Sequence, residues 1–387
     1  MHISAFPTLG LRDVFSRTEK VCPDRPFADG KTFYFYRGAN AIFAVIKLLH
    51  LAEQDNVLMP AYHCGVEVKA VLKAGVHVKF YGVNDKLCCD LDDIQRKIDV
   101  RTKAVFVIHY FGFPQAVDAL KKICRERNIY FIEDCAHALY SQLWDKYLGE
   151  FGDISIFSFQ KSLPVPDGGA LVVNKESIPL SVKPQGRPSA LSTARGTILS
   201  LLERFKMRHE KGHRMMDGLV IQPLRFLLRY AKRISAGRVH VSTPSTAEFD
   251  AGRAALGMSD FARKIICAAD SRVIFDKRRE NYEFLFNRLK DEPFVQFFFR
   301  ALPEGVCPLF LPLLIERRDE VQGKLKERGI NAFVFGKTLH PLLPVQEFSI
   351  AQTCSAGNLC LPIHQDLDKE QLTYMADVLK KVMSVNR

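Results

Sequence analysis

Between about residues 40 and 175 the apolar positions switch repeatedly between a helical period and a strand period. AIFAVIKLLHLAE (41–53) carries its apolar residues at helical spacing, and NVLMPAY (56–62) reads as a strand ending at a proline. VEVKAVLKAG (66–75) is a short helix stopped by Gly75, and VHVKFYGV (76–83) alternates like a strand. LDDIQRKID (91–99) and DALKKICRERN (118–128) are helical. KAVFVIHYFG (103–112), IYFIEDCAHA (129–138), DISIFSF (153–159) and GALVVN (169–174) supply further strands. Repeated β-α-β units with near-continuous apolar strands predict a three-layer α-β-α fold with a mainly parallel central sheet. Ligands of such sheets bind beyond the carboxyl ends of the strands. That rule gathers Tyr62-His63-Cys64, Asp134 to His137 and Ser158 to Lys161 around one crevice.

Residues 175–245 break the alternation with Ser, Pro, Gly and basic residues, followed by a helical stretch at 219–235. A long helix is then expected from FDAGRAALGMSDFARKII through RVIFDKRRENYEFLFNRLK (272–290). VCPLFLPLLIE and INAFVFG read as strands, and EVQGKLKERG and DKEQLTYMADVLKKVM as helices. The predicted organisation is a large domain over 1–250, with a basic insertion at about 175–245, and a long helix with a small α+β domain over 251–387.

Composition narrows the class. The 387 residues are 47% hydrophobic and 25% charged, and no apolar run reaches the length of a membrane-spanning helix. The opening MHISAFPTLGLRDVFSRTEK lacks the basic and apolar regions of a secretory signal, so a cytoplasmic protein is expected. Ten scattered cysteines without a CxxC pair are then expected as reduced thiols, and no metal site is expected. Net charge is +12, yet residues 175–240 hold 14 Lys and Arg against four acidic residues, a surplus of ten. Basicity therefore belongs to one segment and does not mark the chain as a nucleic-acid binder. In LRFLLRYAKRIS, Arg225, Arg229 and Lys232 share one helical face and Leu224, Leu227, Leu228 and Ala231 another. Residues 219–236 thus read either as a solvated helix packed on its own protein or as an interfacial helix on an anionic membrane surface.

The chemistry centres on Lys161, set between two apolar strands. A lysine amine there costs folding energy unless it is solvated, paired or consumed. A strand-end carboxylate, Asp134, is its natural partner. Together they suit pyridoxal 5′-phosphate, whose aldehyde takes an amine and whose ring nitrogen needs an acid to keep it protonated. Gly38 and Ala39, in the loop YRGAN before a helix, form an anion site of backbone amides, and Ser158 adds a hydroxyl. His63 follows a strand end and is placed to stack on the ring; His137, three residues after Asp134, is placed to reach its hydroxyl. Each feature alone has an ordinary reading: a cap, a loop-to-helix start, a core histidine, a surface lysine. Their shared position at one sheet edge favours a site.

The ordered series FYRGANAI, VLMPAYHC, TKAVFVIHYFG, IEDCAHALYS, GDISIFSFQKSLPVPDGGALVV and NLCLPIHQDL resembles the DegT–StrS family of sugar aminotransferases, over roughly 30–175 and 247–387. The resemblance implies the fold-type-I pyridoxal-phosphate architecture. It makes Lys161 the cofactor-linked lysine, Asp134 the ring-nitrogen partner and His137 the neighbour of the ring hydroxyl. Ser158, Gly38 and Ala39 become phosphate contacts, and His63 or Cys64 the residue packed on the ring face. It also implies an amino-acid donor, glutamate by family habit, a nucleotide-linked keto-sugar acceptor, and a homodimer with a shared site. Departures are visible: the usual SGT turn is RGA, the Ser-to-Lys interval is short, and VSTPSTAEFDAG (241–252) stands where a Tyr- and Asn-rich loop is usual. Two other readings are another pyridoxal-phosphate reaction of desulfurase or acyl-transfer type, for which Cys64 and Cys135 speak, and a non-catalytic relative.

Overall fold

The computed structural model describes residues 1–15, 26–27, 30–208 and 249–384. The stretch 219–236 and residues 241–248 lie outside them, and with them the proposed interfacial helix and most of VSTPSTAEFDAG. A short helix, α1 (Leu11–Phe15), precedes the first strand, β1 (Thr32–Phe35). There follow α2 (Gly38–Leu48), β2 (Asn56–Pro60), α3 (Val66–Lys73), β3 (His77–Tyr81), α4 (Leu91–Lys97), β4 (Thr102–Ile108), α5 (Val117–Glu126) and β5 (Tyr130–Asp134). A two-strand hairpin, β6 (Gln142–Leu143) and β7 (Lys146–Tyr147), leads to β8 (Ile154–Ser158) and β9 (Gly169–Val173).

Seven strands form one sheet in the order β1-β9-β8-β5-β4-β2-β3. The β3-β2-β4-β5-β8 run is parallel, and β9 and β1 close the edge antiparallel. Alternate strand residues serve opposite layers, as the pleat demands. Ala104, Phe106 and Ile108 of β4 join the core beneath α2 and α3. Val105 and Val107 join Ile94 of α4 and Leu120 of α5 on the other face. Both faces are covered, so the predicted three-layer architecture is the observed one.

Downstream, α6 (Ala190–Arg208) lies within the segment expected to be irregular, and no helix was read there from the sequence. The long helix expected across 249–290 is two helices, α7 (Asp260–Ala268) and α8 (Ser271–Leu289). The break has a local cause: Asp270 accepts hydrogen bonds from the amides of Arg272 and Val273 and caps a new helix start. A second, antiparallel sheet orders β10 (Gln296–Phe297), β11 (Phe310–Leu314) and β12 (Asn358–Pro362), with α9 (Arg318–Glu327), α10 (Ser349–Gly357) and α11 (Lys369–Ser384) around it. INAFVFG is not a strand. It makes isolated bridges at Ile330 and Phe333, then turns at Gly336 with φ of 64°. Ile3 pairs with Ile330, so the first residues lie against the downstream part of the chain. Eight described cysteines are free thiols as expected, but Cys267 is disulfide-bonded.

Candidate active site

The carboxyl ends of β2, β4, β5 and β8 open into one cavity. Arg37, Gly38, Ala39, Cys64, Glu67, Asp134, His137, Ser158, Gln160, Lys161 and Phe335 are among its lining residues. The crevice expected from the topology rule is therefore where the structure places it.

Lys161 ends a single helical turn, Phe159–Lys161, that follows β8. The turn is tied on both sides. Gln160 Nε2 donates to the Pro166 carbonyl at 2.6 Å, closing the proline loop. The Ser162 carbonyl accepts from Arg278 Nη2 at 3.1 Å and from Gln365 Nε2 at 3.2 Å. Lys161 Nζ itself lies 6.0 Å from the centre of the Phe335 ring.

Asp134 closes β5, 6% exposed, and its Oδ1 accepts from the Ala136 amide at 2.8 Å. Burial pushes its carboxyl up from the ordinary 3.8 to about 6; the Lys161 charge pulls the other way and Glu67 adds to the rise. A carboxyl whose folded pKa is raised favours the fold when protonated. That stability is complete below pH 4 and is lost as pH rises through about 6. The cofactor-free protein is expected to lose about 3 kcal/mol across that window that Asp134→Asn does not lose. Urea-unfolding midpoints of both proteins from pH 4 to 7 check this; parallel curves would refute it.

His137 is buried at 2% exposure, stacked on Phe111 at 5.3 Å and edge-on to Phe335 at 4.7 Å. Burial, then the Lys161 charge, hold its pKa well below the usual value, so the ring is neutral. Its Nδ1 accepts from the Phe111 amide at 3.4 Å, which leaves the proton on Nε2. Nε2 is buried and has no hydrogen-bond partner among the described residues. An orphaned donor in a cavity wall is costly unless a ligand oxygen meets it.

The anion cradle is built by close backbone approach. α2 starts at Gly38 with Arg37 as N-cap and no side-chain cap; the Asn40 and Ala41 amides turn back to the Arg37 carbonyl, leaving those of Gly38 and Ala39 without an acceptor within their own helix. A Cβ on Gly38 would sit 3.2 Å from the Ser158 Cβ. A Cβ on Gly169 would collide with the backbone of Arg37 and Gly38. Gly169→Ala should therefore displace the cradle, cost about 1–3 kcal/mol of stability and weaken phosphate-ester binding roughly tenfold. Calorimetric titration with pyridoxal phosphate gives the affinity, and an unchanged Kd would contradict the cradle.

His63 and Cys64 part company. Cys64 lines the cavity, whereas His63 is not among the lining residues. The His63 ring stacks on Phe80 at 5.4 Å, its Nδ1 pairs with the Pro60 carbonyl and its Nε2 accepts from the His340 amide. Glu67 and Phe335 are lining residues that the sequence reading passed over, and Gln160, within the expected Ser158–Lys161 stretch, lines it too. Glu67 sits in a short predicted helix that carries no local mark of a site. Phe335 comes from a distant segment with no local signal.

The doubly covered, mainly parallel sheet thus brings a lysine, a buried carboxyl and a helix N-terminus to one crevice. Residues 35–183 match the model of the DegT/DnrJ/EryC1/StrS aminotransferase family. Over 144 residues the chain is 32% identical to GDP-perosamine synthase of Vibrio cholerae, a match spanning 36% of this chain and 39% of the relative. Over 135 residues it is 36% identical to the dTDP-4-dehydro-2,3,6-trideoxy-D-glucose 4-aminotransferase of Saccharopolyspora spinosa, spanning 34% and 35%. These matches thus span under half the length of the curated relatives. The fold likeness runs the whole length: Helicobacter pylori PseC, an aminotransferase of pseudaminic acid biosynthesis, superposes with TM-score 0.69 at 16% identity, covering 99% of both chains. Spr1654 of Streptococcus pneumoniae in its apo form gives 0.70 at 16% identity, covering 100% of both.

Aminotransferases of this family depend on pyridoxal 5′-phosphate. The cavity fits that group on three counts: the orphaned His137 Nε2, the cradle that added Cβ atoms would crowd or fill, and a lysine placed beside a buried carboxyl.

Proposed function

We propose that this chain is a pyridoxal-phosphate-dependent aminotransferase moving an amino group from an amino acid, glutamate first, to a keto sugar. The acceptor is read as nucleotide-linked and the product as a precursor of surface polysaccharide or glycoconjugate. The observation that carries this is the convergence of Lys161, Asp134 and the unpartnered His137 Nε2 on one cavity. When bound, the cofactor supplies an aldehyde and an electron-accepting ring. Lys161 Nζ would hold it covalently and, once displaced by the donor's amino group, would take a proton from the donor's α-carbon and return one during transfer. Asp134 holds a proton on the ring nitrogen, which also supplies the cation its buried carboxyl lacks. His137 Nε2 donates to a ring oxygen, and the Gly38 and Ala39 amides with the Ser158 hydroxyl hold the phosphate. Phe335 and Cys64 exclude water.

A desulfurase would need an exposed, acidic thiol. Burial pushes the Cys64 and Cys135 thiols up, and Cys135 has no exposed surface. Transamination is the better reading. The proposal extends to a cytoplasmic homodimer with a shared site, and to a division near residue 250 with the basic segment as an insertion. Among the described residues no helix is long and apolar enough to cross a membrane. Contact of 219–236 with an anionic membrane surface is a separate part of the proposal, tested by liposome flotation with and without those residues.

The test is spectroscopic first. Protein mixed with pyridoxal phosphate should show a visible band that borohydride abolishes, and glutamate should convert it to the pyridoxamine form. A GDP- or dTDP-linked 4-keto sugar should then restore the band and leave an amino sugar detectable by mass. Absence of the band after adding cofactor would overturn the reading.

A further inference from the structure

Cys64 and Glu67 meet across the first turn of α3. The Cys64 amide donates to Glu67 Oε1 at 2.9 Å, and the Cys64 thiol donates to Glu67 Oε2 at 2.7 Å. Both residues line the cavity that holds Lys161, and Glu67 is only 3% exposed. Gly65, with φ of 85°, makes the turn that brings the two together. A buried carboxylate beside Asp134 adds negative charge to a site that already has one acid, which is expensive unless the charge has a task. The second sign of a ligand here is independent: the His137 Nε2 donor, buried in the same wall without a partner.

We propose that Glu67 is a positioning residue which, by accepting the thiol hydrogen, presents Cys64 to the cavity as a protonated, unreactive wall for a flat aromatic aldehyde. This rests on the reading of the cavity as a pyridoxal-phosphate site. The chemistry requires such control. A thiolate in that place would compete with Lys161 for the aldehyde carbon, and the lysine ammonium by itself favours thiolate. Burial is the larger influence raising the Cys64 thiol, the Glu67 charge the next, and the Lys161 charge opposes both. The pair therefore lets an amine and a sulfur share one cavity with only the amine reactive.

Alkylation by iodoacetamide at pH 8, located by peptide mass, tests this on cofactor-free full-length protein. Glu67→Gln keeps the side chain's size and removes its charge, so labelling of Cys64 should accelerate at least tenfold, while the buried Cys307 stays unlabelled. Lys161→Ala should slow Cys64 labelling below that of the unaltered protein. An unchanged or slower rate in Glu67→Gln would overturn the proposal. So would equal acceleration at Cys64 and Cys307, which reports an opened fold, unless Lys161→Ala still slows Cys64; an unchanged rate in Lys161→Ala would also overturn it. In the unaltered protein, pyridoxal phosphate should protect Cys64 as the visible band forms. A full band without protection would remove Cys64 from the wall. No band at all would sink the cofactor reading, whereas the cofactor-free labelling contrast would still decide the Cys64–Glu67 pairing.

Discussion

Lys161→Ala is expected to abolish the borohydride-sensitive band and to lower kcat by about 10⁴-fold, because in the proposed reaction one amine serves both as cofactor anchor and as proton carrier. The fold should survive, since the Lys161 amine makes no ion pair among the described contacts and the turn is fixed by its backbone neighbours. An unchanged urea midpoint beside a lost band separates chemistry from folding. Retention of more than a few per cent of activity would remove Lys161 from the reaction.

Arg278→Met is expected to do the reverse, with a large loss of stability. Arg278 of α8 is 1% exposed, and its guanidinium donates to the carbonyls of Pro308, Leu309 and Ser162 and to Gln365 Oε1. Methionine fills much of the volume but strips donors from buried oxygens, at a net cost of about 3–5 kcal/mol. Arg278→Lys should fall between, because a point ammonium does not reproduce a planar fork with several acceptors. Chemical denaturation checks both; a loss under about 1 kcal/mol for the methionine variant would show the network to be dispensable.

The contrast between these residues explains what the sequence made legible. Lys161, Asp134, Ser158 and the Gly38–Ala39 turn lie at strand ends or a helix start, where the hydrophobic period itself marks the place. Glu67 escaped notice because VEVKAVLK reads as an ordinary amphipathic helix, and the reason for its burial is the left-handed turn at Gly65. His63 and Cys64 were interchangeable on paper, yet adjacent residues after a strand end point their side chains apart, and only one lines the cavity. Arg278 and Phe335 reach the site through pairings across more than a hundred residues, which no local period encodes. INAFVFG alternates like a strand but meets neighbours only at two bridges before Gly336 turns it away.

Phe335 has one more consequence, and it concerns time. The cavity wall beside Lys161 and His137 is completed by a side chain 174 positions after the lysine. Long-range contacts of this kind are made late, after loop closure has been met by other packing. A refolding chain should therefore build its parallel sheet before it has a closed pocket, and gain cofactor affinity only as the downstream segment docks. In stopped-flow refolding, far-ultraviolet circular dichroism should lead and the visible cofactor band should lag, so that capture of pyridoxal phosphate reads out the docking of the C-terminal third.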